Sequence, residues 1–202
     1  MKNIFPIILL SLSLTAILSS CIEIKVVTSP IVGFNSGYSG LSDEEKEMVI
    51  FANCETDVSK DTLKGYTFYA VTGKQIVDMM RKSDKSLIYD WDPNCSAESC
   101  LPIENVYEEG VKKGYDVYIV ANYFSPEAII QVEGFENPVY IPNFLYYNTD
   151  RCNKYNKKFL IDVMGDDNFK SYWETLSEPT FGRCLIFNNG NYSHSVRELN
   201  DL

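Results

Sequence analysis

Residues 116 to 123, Asp-Val-Tyr-Ile-Val-Ala-Asn-Tyr, constrain the fold more than any other stretch. Val117, Tyr118, Ile119 and Val120 follow one another without a break. Successive side chains on a strand point to opposite faces, so this run is apolar on both. Such a pattern marks an interior strand of a parallel sheet, and parallel neighbours need helical crossovers that cover the sheet. The surrounding sequence supplies them. Tyr66 to Val71 and Ser86 to Trp91 read as strands, and Ile76, Val77, Met79 and Met80 form a helical stripe between them. Ile103, Val106, Tyr107 and Val111 make one face of a second helix, which Gly114 closes as a left-handed cap. Ser125-Pro126-Glu127 opens a third with a cap, a preset first turn and a carboxylate at the positive dipole end. Residues 138 to 147 form another extended run, and Lys154 to Asp162 and Asn168 to Leu176 read as helical pieces. Cys184 to Phe187 and Tyr192 to Val196 flank Asn188-Asn189-Gly190, the signature of a closing hairpin. Near the start, Ser42 to Glu45 has capping-box form and opens a helix expected over Glu44 to Phe51. The order is β-α-β-α-β, an irregular segment, then β-β.

The first twenty residues stand apart. Lys2 gives a short positive start, and Ile4 to Leu18 are almost all apolar or hydroxylic. The stretch is too short and too poorly flanked for a stable membrane span and reads as a secretory signal. Leu18-Ser19-Ser20-Cys21 resembles the bacterial lipobox. That resemblance implies cleavage before Cys21, diacylglycerol on its thiol and an acyl chain on its amine, palmitate-like in kind. Each buried methylene contributes about 0.8 kcal/mol, so two or three chains hold the protein to the membrane. The alternative is an ordinary signal peptide cut near Ser20, with Cys21 a plain thiol. Position 22 is Ile, so the aspartate that signals inner-membrane retention is absent, and the outer membrane is the expected location where two membranes exist. Residues 1–20 are thus expected to be the lipoprotein signal, 21–65 a tether and N-terminal extension, and 66–202 the main domain.

Removing the signal takes away one lysine and moves the formal charge from −10 to −11. An acidic chain with no basic cluster is repelled by phosphate backbones, which argues against nucleic-acid binding. A single histidine, His194, excludes a multi-histidine metal or catalytic centre and reads as a surface residue of the hairpin. No cysteine pair has the tight spacing of a zinc knuckle, and no glycine-rich phosphate loop occurs. Asp166-Asp167 reads as the cap of the helix near Asn168. No cofactor is expected.

The chemistry centres on Cys95 and Cys100, in the segment Trp91-Asp92-Pro93-Asn94-Cys95-Ser96-Ala97-Glu98-Ser99-Cys100. In a regular helix, residues five apart have Cα atoms about 8 to 9 Å from one another. A disulfide tolerates roughly 7 Å. The two can therefore bond only if Cys95 lies outside the helix. Pro93-Asn94 breaks the strand, and Ser96 is expected to cap a helix beginning at Ala97, so that Cys95 folds back towards Cys100.

Together these residues resemble the thioredoxin-like fold, in particular the membrane-tethered thioredoxins of bacterial envelopes, over about Phe68 to Val196. Leu87 to Trp91 matches the strand that ends in Trp before the active site. Cys95 stands where the attacking cysteine stands, and Pro179-Thr180 resembles the Pro-Thr before the final hairpin. The resemblance implies an α/β fold with a central mixed sheet flanked by helices and an N-terminal extension. It also implies that Cys95 attacks, that Cys100 resolves, and that Trp91, Pro179 and Thr180 contact substrate, with Pro179 cis. Pro142 is the alternative cis proline. The chain departs from the family in its spacing, four residues between the cysteines instead of two. It also carries Tyr89 in place of the buried acid and Asn94 in place of the second tryptophan. Asp90, Asp92 and Glu98 oppose thiolate formation at Cys95.

Three cysteines remain. Cys152 with Cys184 is one plausible bridge, which leaves Cys54 free; Cys54 can equally pair with either, and the sequence does not choose among these. Two functions follow as expectations. One is a lipid-anchored thiol-disulfide oxidoreductase whose partners are thiol or disulfide proteins of the envelope. The other is a non-catalytic lipoprotein with a structural Cys95–Cys100 bond, acting in protein binding or envelope structure.

Overall fold

The apolar runs meet in one mixed sheet of seven strands. This computed structural model describes residues 35–52, 63, 65–95, 100–175 and 183–202. Cys21, Cys54, Glu98, Pro179 and Thr180 lie outside the described residues, as does the signal segment. In chain order the elements are α1 (Asp43–Glu47), β1 (Val49–Phe51), β2 (Phe68–Val71), α2 (Gly73–Met80), β3 (Lys85–Trp91), α3 (Ile103–Lys112), β4 (Asp116–Ala121), α4 (Pro126–Gln131), β5 (Val139–Pro142), α5 (Cys152–Met164), α6 (Asp166–Thr175), β6 (Cys184–Asn188) and β7 (Asn191–Val196). Short 3-10 turns precede α1 and follow β7.

The strand order is β1-β2-β5-β4-β3-β6-β7. The first five of these run parallel, β6 is antiparallel to β3, and β7 is antiparallel to β6. β4 is buried along Val117 to Ala121, as its two-faced apolar run requires. A mixed sheet flanked by helices is therefore present, and β5 widens it by entering between β2 and β4.

Register sorts the side chains to two faces. On β3, Leu87, Tyr89 and Trp91 point one way and Ile88 and Asp90 the other. The first face carries α3. A Cβ added at Gly110 would stand 2.6 Å from Val117 Cγ2 and 3.2 Å from Leu87 Cδ2, so the helix comes this close because position 110 has no side chain. Tyr107 of α3 meets Phe135, beyond α4, edge-on at 5.6 Å between ring centroids. The opposite face carries α5 and α6 over Ile88, Asp90 and Val120, with α2 packed against α5.

Two elements differ from expectation. The helix foreseen over Glu44 to Phe51 stops at Glu47. Its capping box forms, with Ser42 Oγ accepting from the Glu45 N–H and the Glu45 carboxylate accepting from the Ser42 N–H. Val49-Ile50-Phe51 then pair with Phe68 to Ala70, because β-branched and aromatic residues gain more as an edge strand on a buried neighbour. The helix foreseen from Ala97 does not run through Cys100 to Pro102; Ser96 and Ala97 lie outside the described residues, and α3 begins at Ile103 with Pro102 as its N-cap at φ −55°, ψ 140°. A proline disfavours helix at the residue before it, which keeps Leu101 and Cys100 out of α3. No cis peptide bond occurs among the described residues, so Pro142 is preceded by a trans bond.

Candidate functional site

β3 ends at the buried Trp91, and the chain turns at once. The Asp92 side chain accepts from the Asn94 N–H at 3.1 Å, and the Asp92 carbonyl accepts from the Cys95 N–H at 3.0 Å. Aspartate opening a turn with proline second is the arrangement this four-residue geometry favours. Gln131, the last residue of α4, donates from Nε2 to the Pro93 carbonyl at 2.6 Å and fixes the turn from the other side.

The turn brings Cys95 to Cys100. The two form a disulfide with Cα atoms 5.9 Å apart, and both residues are half-buried. Both precede α3, Cys100 by three residues, so the pair stands off the helix N-terminus instead of at it. The following residue is held by Tyr89, which the sequence marks only as standing in place of the buried acid. The Tyr89 hydroxyl donates to the Leu101 carbonyl at 3.0 Å and accepts from the Leu101 N–H at 3.1 Å. Burial pushes the Tyr89 hydroxyl up to about 12, so it stays protonated and keeps both bonds at any ordinary pH. An aromatic alcohol placed two residues before Trp91, facing the α3 side, was the available signal.

Charge around the turn is mixed. Arg183 Nη2 lies 3.8 Å from Asp92 Oδ2, and its Nη1 donates to the Asp90 carbonyl at 3.5 Å. The Asp90 N–H in turn donates to the Arg183 carbonyl at 2.9 Å. Burial raises the Asp90 carboxyl above the usual carboxylate range; Arg183 opposes the shift and Asp92 adds to it.

The Cys152–Cys184 bridge is absent, and both cysteines are free and buried. Cys152 begins α5, where its Sγ donates to the Asn122 carbonyl at 3.0 Å and accepts from Asn156 Nδ2 at 3.1 Å. Tyr155 Oη and Asn156 Nδ2 donate to the same carbonyl, each at 2.8 Å. Cys184 sits in β6 opposite Tyr89 of β3, inside the core. Burial pushes the two thiols up to about 11 and about 12, which makes them inert at neutral pH. His194 is exposed in β7 opposite Ile186, and its ring Nδ1 lies 3.0 Å from Ser193 Oγ.

These features define an α/β protein with a disulfide-closed loop at the carboxyl end of a central strand. No family model, no curated protein and no solved structure matches the chain.

Proposed function

We propose that the protein is a lipid-anchored, thioredoxin-like member of the bacterial envelope that exchanges thiols and disulfides through Cys95 and Cys100. The observation that carries the reading is the bond itself: a half-exposed disulfide formed across five residues, directly after the strand that ends in Trp91. The order around it supports the family reading. β3, the cysteine pair, α3 and β4 follow in sequence, and the antiparallel β6–β7 hairpin closes the sheet beside β3. In the reduced protein the Cys95 thiolate attacks a substrate disulfide, forms a mixed disulfide and releases one substrate thiolate, which takes up a proton. The Cys100 thiolate then attacks Cys95 Sγ, releasing the second substrate thiol and restoring the Cys95–Cys100 bond. The substrate gains two electrons and the pair loses two; the reverse sequence oxidises a dithiol partner.

The test is a trap. Cys100→Ser cannot resolve the mixed disulfide, so non-reducing electrophoresis should reveal adducts with envelope proteins that Cys95→Ser abolishes. The second reading, a structural disulfide in a binding lipoprotein, is favoured by the Tyr89 clamp and by the distance of the pair from the α3 dipole. A reduction potential below about −300 mV with no adducts decides for it. Anchoring is tested separately. Metabolic labelling with an alkyne fatty acid should mark the protein, and Cys21→Ala should remove the label.

A further inference from the structure

On the sheet face opposite α3 lies a cleft of about 170 Å³. Its floor is Ile88 and Asp90 of β3 with Val120 and Asn122 of the β4 end; α5 and α6 form its walls. It opens at the carboxyl ends of parallel strands.

Two acceptors stand at the floor without a donor. Asn122 Oδ1 is buried and has no hydrogen-bond partner among the described residues. No described residue donates to the Asp90 carboxyl. Arg183 acts on Asp90 through space but places its Nη2 by Asp92, and Lys157, in the cleft lining, holds its ammonium over the Phe169 ring at 5.8 Å, so neither donates to the Asp90 carboxyl. Phe159, Leu160 and Tyr172 give the walls an apolar and aromatic side, Asn153, Asn156 and Lys157 a polar one, and Trp173 is 52 % exposed. Cys152 is also in the wall, but its sulfur is committed to Asn122 and Asn156.

From this arrangement we propose that the cleft binds a compact organic cation, a primary amine on an apolar body the size of one aromatic ring. A cavity of roughly 150 Å³ is known to accept benzene, which sets the size. An ammonium supplies donors to both orphan acceptors at once, and its charge offsets the burial that disfavours an ionised Asp90. Trp173, half exposed in the lining, is an aromatic partner for the same charge. The inference is independent of the disulfide, which belongs to the other face of β3.

The test is isothermal titration calorimetry at pH 7 on the full chain in detergent, with benzylamine as probe and benzyl alcohol as its neutral counterpart. Benzylamine should bind at millimolar concentration or below, and benzyl alcohol at least tenfold more weakly. Asp90→Asn keeps the shape of the side chain and should weaken benzylamine at least tenfold. Trp173→Ala, a rim change that leaves the core intact, should weaken it about fivefold. Absence of benzylamine binding, equal binding by Asp90→Asn, or benzyl alcohol binding as tightly as the amine would each overturn the proposal; the last would make this a site for neutral donors.

Discussion

Tyr89 and Asp90 are adjacent in sequence and belong to different sites. Tyr89 reaches the disulfide loop through Leu101, while Asp90 lines the cleft on the other face. Read as a sequence, Asp90 is only a negative charge near Cys95. Strand alternation turns it away, and that signal was legible once Ser86 to Trp91 was assigned as a strand. For Tyr89 the sequence offered its hydroxyl and its face of the strand, but not its partner, which depends on where Leu101 comes to lie. Tyr89→Phe removes one hydroxyl and leaves both backbone groups of Leu101 without it. Denaturant unfolding should show a loss of about 1–3 kcal/mol, and the Cys95–Cys100 bond should become easier to reduce. Asp90→Asn should do the opposite at neutral pH. Because the native carboxyl holds its proton above the unfolded value of about 3.9, stability falls as pH rises from there through the native pKa. The variant should melt a few degrees above the parent at pH 7 and level with it at pH 3, by differential scanning calorimetry.

Local chemistry wrote most element ends into the sequence. Ser125 Oγ accepts from the Ala128 N–H and caps α4, Gly114 follows α3 with φ +83°, and Asn189-Gly190 turns β6 into β7 with φ +49° and +76°. Each depends on neighbours within four residues. The start of α3 was less legible, since a cap at Ser96 and a block at Pro102 are both compatible with a bridged pair, and only the fold shows that Cys100 to Pro102 are not helical. β1 escaped because a three-residue strand gains its stability from β2, which lies nearly twenty residues on. The contact of α3 with the sheet is tight enough to probe. Gly110→Ala drives a methyl into Val117 and Leu87 and should cost about 1–3 kcal/mol despite the better helix propensity of alanine, as measured by chemical denaturation.

The α/β class was legible from alternating helix and strand periods, but the strand order was not. The crossover through α2 carries the chain from β2 to β3 across a gap of two strand positions, which β4 and β5 fill only later. Nothing in the spacing of apolar residues records a gap that later chain will close. The cysteines show the same limit. Counting suggested a bridge between Cys152 and Cys184, whereas the sheet and α5 bury each thiol separately. Their reactivity is therefore a property of the whole fold. Iodoacetamide at pH 7.5 should leave both unlabelled in the native protein, and labelling by mass spectrometry should appear only across the global unfolding transition. The two tryptophans divide in a similar way, Trp91 shut inside at the end of β3 and Trp173 standing in water on α6. A shielded indole emits bluer light than a wetted one, and iodide quenches only the wetted one. The chain thus carries two native optical reporters of different colour, one beside the sulfur loop and one on the lip of the cavity, so a single emission spectrum can follow both without a label.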